Sequence, residues 1–159
     1  MTGEADGLHH DGDHELTIPA LLRGAGRTYA AATLRALTEA GFDDMPRDGS
    51  YVVSGIARTG APLSDIIAAL GASKQAAGQL VDTLVVRGYL ERAIDPGDRR
   101  RLTITLTTRG REAALAIRSA VERVDAALVA RAGPEAIGQI RAALTALAAL
   151  SEAGEEWGP

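Results

Sequence analysis

No cysteine occurs in the 159 residues, which excludes disulfides, thiolate metal sites and thiol redox sensors. Aromatic residues make up only 3%, so the core has to be built from Ala, Leu, Val and Ile. No apolar run reaches the eighteen or so residues that a membrane span needs. The amino terminus lacks the basic and then apolar order of a secretory signal, so the expected compartment is the cytoplasm. Histidine is confined to His9, His10 and His14, and neither a glycine-rich phosphate loop nor a carboxylate pair stands out. An enzyme is therefore not expected, and no cofactor is implied.

What is present is a chain of one-domain size, 46% hydrophobic and 24% charged. Its net charge of −4 argues at first against nucleic acid, but the distribution reverses the argument. Between Lys74 and Arg111 lie eight basic residues (Lys74, Arg87, Arg92, Arg99, Arg100, Arg101, Arg109, Arg111) against four acids, and the remainder is −8. Phosphate responds to the local field rather than to the total.

Residues 1–15 read as a disordered acidic tail, with Glu4, Asp6, Asp11 and Asp13 and no Lys or Arg. The tail histidines, with Asp11 and Asp13, have metal-ligand chemistry but no second shell, so a metal site is not expected. Residues 16–155 read as one domain. A helix is predicted over Ile18–Ala40, with Leu21, Leu22, Ala25, Tyr29, Ala32 and Leu37 at helical spacing. Phe42–Asp48 is a loop, and Tyr51–Arg58 a short buried helix stopped by Gly60 and Pro62. Tyr29, Tyr51 and Arg27 are candidates for a ligand pocket, although isolated tyrosines more often serve in a core or an interface.

Next, Ser64 reads as the cap of a short helix that turns Ile66, Ile67 and Leu70 inward. Gly71 supplies a tight turn, and Ser73 caps a second helix running to about Arg87. On it Ala77, Leu80, Val81 and Leu84 form one stripe, and Lys74, Gln75, Gly78, Gln79 and Asp82 another. A short helix, a glycine turn and a longer helix with a small, polar outer face is a helix-turn-helix. Leu90–Asp95, the turn Pro96-Gly97 and the alternating Arg101–Leu106 then predict a β-hairpin, a wing with three arginines at its tip. Thr107 or Thr108 caps a long helix to about Ala132, with Ile117, Val121, Val124 and Leu128 as its stripe. Gly133-Pro134 breaks it, and a last helix from Pro134 to about Ala153 turns Ile137, Ile140, Leu144 and Leu147 inward. The expected class is mainly α with a small β wing, in the order α-α-α-α-β-β-α-α. The winged helix-turn-helix occupies about 48–107, and the helices about 16–41 and 108–153 form a dimerisation region. The alanine-rich outer helices hide too little surface alone, which points to a homodimer.

Residues 63–106 resemble the MarR family of winged-helix regulators. The likeness is carried by Asp95-Pro96-Gly97-Asp98-Arg99-Arg100 with Leu106-Thr107, by Leu80-Val81-Asp82-Thr83-Leu84, and by Arg87-Gly88-Tyr89-Leu90. The element order extends it to about 16–152. It implies a dimeric repressor of a palindromic operator in double-stranded DNA, released when a small aromatic effector binds between the dimerisation and DNA-binding parts. The chain departs from the family where a hydroxyl residue and an Arg are common, having Gly78 and Gln79, and at Leu102, where many relatives are basic.

Candidate DNA-binding residues are Ser73, Lys74, Gln75, Gly78 and Gln79 on the helix, and Asp98, Arg99, Arg100 and Arg101 on the wing. Lys74 is placed for a phosphate. Gln75 has the side chain that pairs with adenine, and Gln79 has the same option or a phosphate. Gly78 either lets the backbone approach DNA or reflects drift. Arg100 is suited to the minor groove, Asp98 to orienting it, and Arg99 and Arg101 to flanking phosphates. The competing reading, raised by Gly78 and Gln79, is a winged-helix module for protein partners with weak or no DNA binding.

Overall fold

The computed structural model describes residues 16–60, 62–94 and 102–152. The acidic tail, its histidines and the wing tip 95–101 lie outside the described residues. Six helices and two strands follow in the expected order: α1 (Ile18–Glu39), α2 (Gly49–Thr59), α3 (Leu63–Ala69), α4 (Lys74–Val86), β1 (Leu90–Ile94), β2 (Leu102–Leu106), α5 (Thr108–Ala132) and α6 (Ala136–Glu152).

The core gathers one stripe from almost every element. Val52 and Val53 of α2, Ile66 of α3, Leu84 of α4, Tyr89 and Leu90 at the start of the hairpin, Leu106 of β2, and Ala113, Ala114 and Ile117 of α5 are buried together. Leu37 and Phe42 close it from the α1 side. The long helix α5 is the spine, since α1, α2, β2 and α6 all pack on it. Its buried positions Gly110, Ala113, Ala114, Ile117 and Ala120 are small apart from Ile117, which lets neighbouring backbones come close.

The hairpin is antiparallel, with Leu90 opposite Leu106, Arg92 opposite Ile104 and Ile94 opposite Leu102. Because strand side chains alternate, this register turns Leu90 and Leu106 into the core on the same face. Gly60, Gly71 and Gly88 stand at φ +60, +63 and +74, the left-handed conformation that ends the helices before them. The Ser73 hydroxyl accepts the Ala76 N–H at 3.2 Å, and the Thr107 hydroxyl accepts the Gly110 N–H at 3.0 Å, so Thr107 rather than Thr108 caps α5.

Three expectations are corrected. Ser64 does not cap α3: the helix starts at Leu63 behind Pro62, whose carbonyl accepts the Asp65 N–H at 3.0 Å. Proline's fixed φ already sets the extended entry residue, and an earlier start brings Leu63 into the helix, where it packs against the core. The Ser64 hydroxyl instead meets Asp65 Oδ1 at 3.1 Å. Likewise α2 starts at Gly49, two residues before Tyr51, because a residue without a side chain can sit under Leu84, Met45 and Pro46. Finally, α6 starts at Ala136, and Ile140, Leu144 and Leu147 are exposed in the single chain rather than turned into its core. Its main packing among the described residues is one flank on α5, too little to cover a helix of 17 residues that is apolar on several faces.

Candidate nucleic-acid interface

Helix α4 separates its two stripes cleanly. Ala77 and Leu84 are buried and Leu80 and Val81 half-buried, while Lys74, Gln75, Gly78 and Gln79 all face outward. Ser73 is exposed beside them and is already engaged as the cap, which fixes where α4 begins. The helix face predicted from sequence is therefore brought together. Asp98, Arg99, Arg100 and Arg101 lie outside the described residues, in the connection between Ile94 and its partner Leu102.

A Cβ added to Gly78 would meet nothing within 4 Å, so no packing inside the chain demands glycine there. Asp82, at the far end of the same face, is bonded by Arg92 of β1 at 2.7 Å. That pair joins α4 to the wing and offsets a carboxylate that would otherwise repel phosphate. Both groups are well exposed, so its value lies in orientation more than in stability. Between α3, α4 and β1 a shallow groove of about 310 Å³ is lined by Leu63, Ile67, Ala77, Gly78 and Val81.

The basic stretch proves to be divided. Arg92 is held by Asp82, Arg109 by Asp44 at 2.7 Å, and Arg111 donates to the Leu106 carbonyl at 2.7 Å. Arg87 donates to the Asp44 carbonyl. Of the five basic residues of this stretch that are described, Lys74 alone makes no such bond. Three of the eight basic residues counted in sequence, Arg87, Arg109 and Arg111, thus bond at the joint between the winged helix and α5, and a fourth, Arg92, links α4 to β1.

That joint centres on Tyr89, which sequence reasoning missed. Its ring is buried, tilted at 58° to Phe42 with centroids 6.1 Å apart, and the Arg109 guanidinium stands 4.7 Å from its centroid. Its hydroxyl donates to Asp44 Oδ1 at 2.5 Å and accepts from Arg109 at 3.1 Å. The loop after α1, the turn before β1 and the first turn of α5 are thereby tied at one point. The Tyr89 hydrogen bond, helped by Arg109 and Arg87, holds the Asp44 carboxyl below its ordinary value of 3.8 against the opposing effect of burial. A carboxyl with a depressed folded pKa contributes stability that is complete above its unfolded pKa and is lost as pH falls through the folded one. Asp44→Asn is accordingly expected to be less stable than the parent at pH 7. The gap between their urea midpoints should close progressively on acidification below 3.8. A gap that stays constant with pH would rule out this role for the charge.

A second feature lies away from the α4 face. A cleft of about 1340 Å³ opens between α2 with the start of α3, the β2 strand, and α5, with Arg141 of α6 at its border. Tyr29, Tyr51 and Arg27 do not line it, contrary to the ligand-pocket expectation. Tyr29 donates instead to Asp125 at 2.6 Å, which ties α1 to α5, and this bond raises its pKa. Among the described residues no group of three metal-ligating side chains occurs, and no helix is long and apolar enough to cross a membrane.

Comparison with known proteins bears on this geometry. A family profile described as MarR family matches residues 44–101, from Asp44 through the winged helix. No curated protein sequence matches the chain. Among solved structures, a complex of S. aureus MepR with DNA is similar, with a TM-score of 0.66 and 22% identity over 86% of this chain and 97% of MepR. The transcriptional repressor CouR bound to a 23-mer DNA duplex gives a TM-score of 0.63 and 21% identity over 83% of this chain and 92% of CouR. S. aureus MepR bound to ethidium bromide gives 0.53 and 23% over 84% and 96%. At these identities the likeness establishes the fold.

Proposed function

We propose that this protein, whose residues 44–101 match a MarR family profile, regulates transcription as a homodimer on double-stranded DNA, as a repressor released by a small effector. The observation that carries the reading is the outer face of α4. Lys74, Gln75, Gly78 and Gln79 are exposed side by side, nothing in the chain packs over Gly78, and the wing that bears Arg99, Arg100 and Arg101 is anchored to the same helix through Arg92–Asp82. In this role α4 enters the major groove, with Gln75 reading adenine, Lys74 on a phosphate and Gln79 on a base or phosphate. The MepR and CouR complexes are DNA complexes of the same fold, which supports the assignment.

Two copies are needed to cover the outer helices. Leu21 of α1 is 52% exposed, and Ile140, Leu144 and Leu147 of α6 are 44%, 42% and 45% exposed. Apolar area of this kind belongs in an interface. In this reading an effector would occupy the cleft between α2, β2 and α5, where a bound molecule would alter how the winged helix sits on the dimerisation helices. S. aureus MepR bound to ethidium bromide offers a precedent for a small aromatic ligand on this fold. The chemistry is binding rather than catalysis, and its place is the cytoplasm, where the chromosome lies.

Retardation of genomic fragments at two salt concentrations tests the reading. Binding that weakens steeply with salt is expected, because phosphate contacts release counterions. No retardation at low salt beyond that of an unrelated acidic protein would favour a module for protein partners instead. Gly78→Ala adds a second test. It is expected to raise stability by about 1 kcal/mol, since helical glycine is disfavoured and the site is open. Its DNA affinity should fall, because the methyl group fills space on the face offered to the duplex. Melting temperature and fluorescence anisotropy report the two effects separately.

A further inference from the structure

We propose that the Tyr89 hydroxyl is a positioning group. By latching Asp44 to Arg109 it fixes the angle of the winged helix on the outer helices, and so the separation of the two α4 faces in the dimer. This rests on the homodimer reading above. The chain crosses between the two parts twice. It enters the winged helix through the loop between α1 and α2, and leaves it where β2 passes into α5 at Thr107. Asp44 stands on the first crossing and Arg109 just beyond the second, and the fold brings their side chains to 2.7 Å.

Tyr89 belongs to the winged helix and closes that pair. Its hydroxyl donates to Asp44 Oδ1 at 2.5 Å and accepts from Arg109 at 3.1 Å. Arg87, at the end of α4, donates to the Asp44 carbonyl, and the Thr107 N–H bonds the Tyr89 carbonyl at 3.1 Å. These bonds are directional, and those to ionised groups are the strong ones. Much of the other packing of the winged helix on α5 is apolar, through Ala113, Ala114 and Ile117. Apolar burial is non-directional, and a surface of such low relief resists separation more than rotation. The Tyr89 ring is itself buried against Phe42, so Tyr89→Phe keeps that packing and removes the latch alone.

The latch sits at one end of a lever. Helix α4 ends at Val86, beside Arg87 and Tyr89, and its 13 residues carry Lys74 and Gln75 about 20 Å away. A rotation of about 10° at the latch, about an axis across α4, moves that far end by about 3.5 Å. This is close to the spacing of about 3.4 Å between successive phosphates along one strand. Two copies turning in opposite senses double the displacement. So small a drift in angle therefore decides whether both α4 faces meet their half-sites at once.

The chain has no cysteine, so Gln79→Cys carries one nitroxide per copy, and electron–electron double resonance reads the distance between the two α4 faces without DNA. A narrow distribution is expected when Tyr89 is present, and one about twice as wide for Tyr89→Phe. Asp44→Asn, which weakens the same bonds from the other side, should widen it too. Tyr29→Phe is the control. It deletes a hydroxyl bonded to Asp125 at 2.6 Å, within the outer helices, and should leave the width unchanged. A second measurement uses operator fragments that the parent selects from random DNA. One or two base pairs inserted between the half-sites should cost the parent at least about tenfold in affinity, and Tyr89→Phe no more than about threefold. A general loss of structure weakens all spacings alike. Equal widths in the parent and Tyr89→Phe, or an undiminished spacing penalty, overturn the inference. Equal widths beside a spacing-selective operator keep the regulatory reading and remove the latch. Broadening in Tyr89→Phe when the parent selects no DNA keeps the latch and removes the regulatory reading.

Discussion

An Arg100→Ala chain is expected to bind operator DNA about ten- to a hundredfold more weakly at moderate salt while remaining a dimer. Arg100 lies outside the described residues, so the expectation stands on what flanks it. The strands pair as far as Ile94 opposite Leu102, and residues 95–101 join them with three consecutive arginines. A hairpin arginine can enter the minor groove, where narrow A·T stretches deepen the negative potential. The loss should therefore be larger on fragments with A·T runs beside the half-sites than on G·C-rich ones. The dimer should persist because the exposed apolar residues of α1 and α6 belong to other elements. Anisotropy titrations at two salt concentrations, with sedimentation to follow assembly, measure both parts. Undiminished affinity would remove the wing from recognition and leave α4 alone to carry it.

Gly110→Ala is expected to lose about 3 kcal/mol of stability, lowering the melting temperature by about 6–12 °C. A Cβ at Gly110 would stand 2.1 Å from the Tyr89 carbonyl oxygen and 3.1 Å from both its carbon and Leu106 Cδ2. The nearest obstacle is backbone, so no rotamer change relieves it. That carbonyl also accepts the Thr107 N–H at 3.1 Å and its hydroxyl at 3.2 Å, so moving it would break bonds that hold Thr107, the cap of α5. The contact lies where the first turn of the spine helix meets the turn before β1, and the Asp44–Tyr89–Arg109 cluster joins the same two segments. Gly78→Ala, the same chemical change in open space, is the control and should go the other way. A melting temperature equal to the parent's would show that the first turn of α5 yields more readily than its packing implies.

Most of the architecture was readable from local pattern. The helix-turn-helix and wing could be placed because periods of 3.6 and 2 change over at Gly88, and because Ser73, Thr107, Gly60 and Gly133 mark ends that involve only near neighbours. The polar face of α4 was readable for the same reason, since residues four apart share a face by helix geometry alone. Where a boundary depended on distant packing, as at Gly49 under Leu84, the local signal pointed two residues too late.

Sequence alone therefore determined the order of elements, the two faces of α4 and the placing of three arginines between two strands, because each follows from periodicity and chain neighbours. Only the tertiary structure decided what the other basic residues are for. Arg109 meets Asp44 across 65 positions, and Tyr89 meets it across 45. Charge along a chain is a sum, whereas its effect depends on distance and screening, and those exist only after the helices have packed.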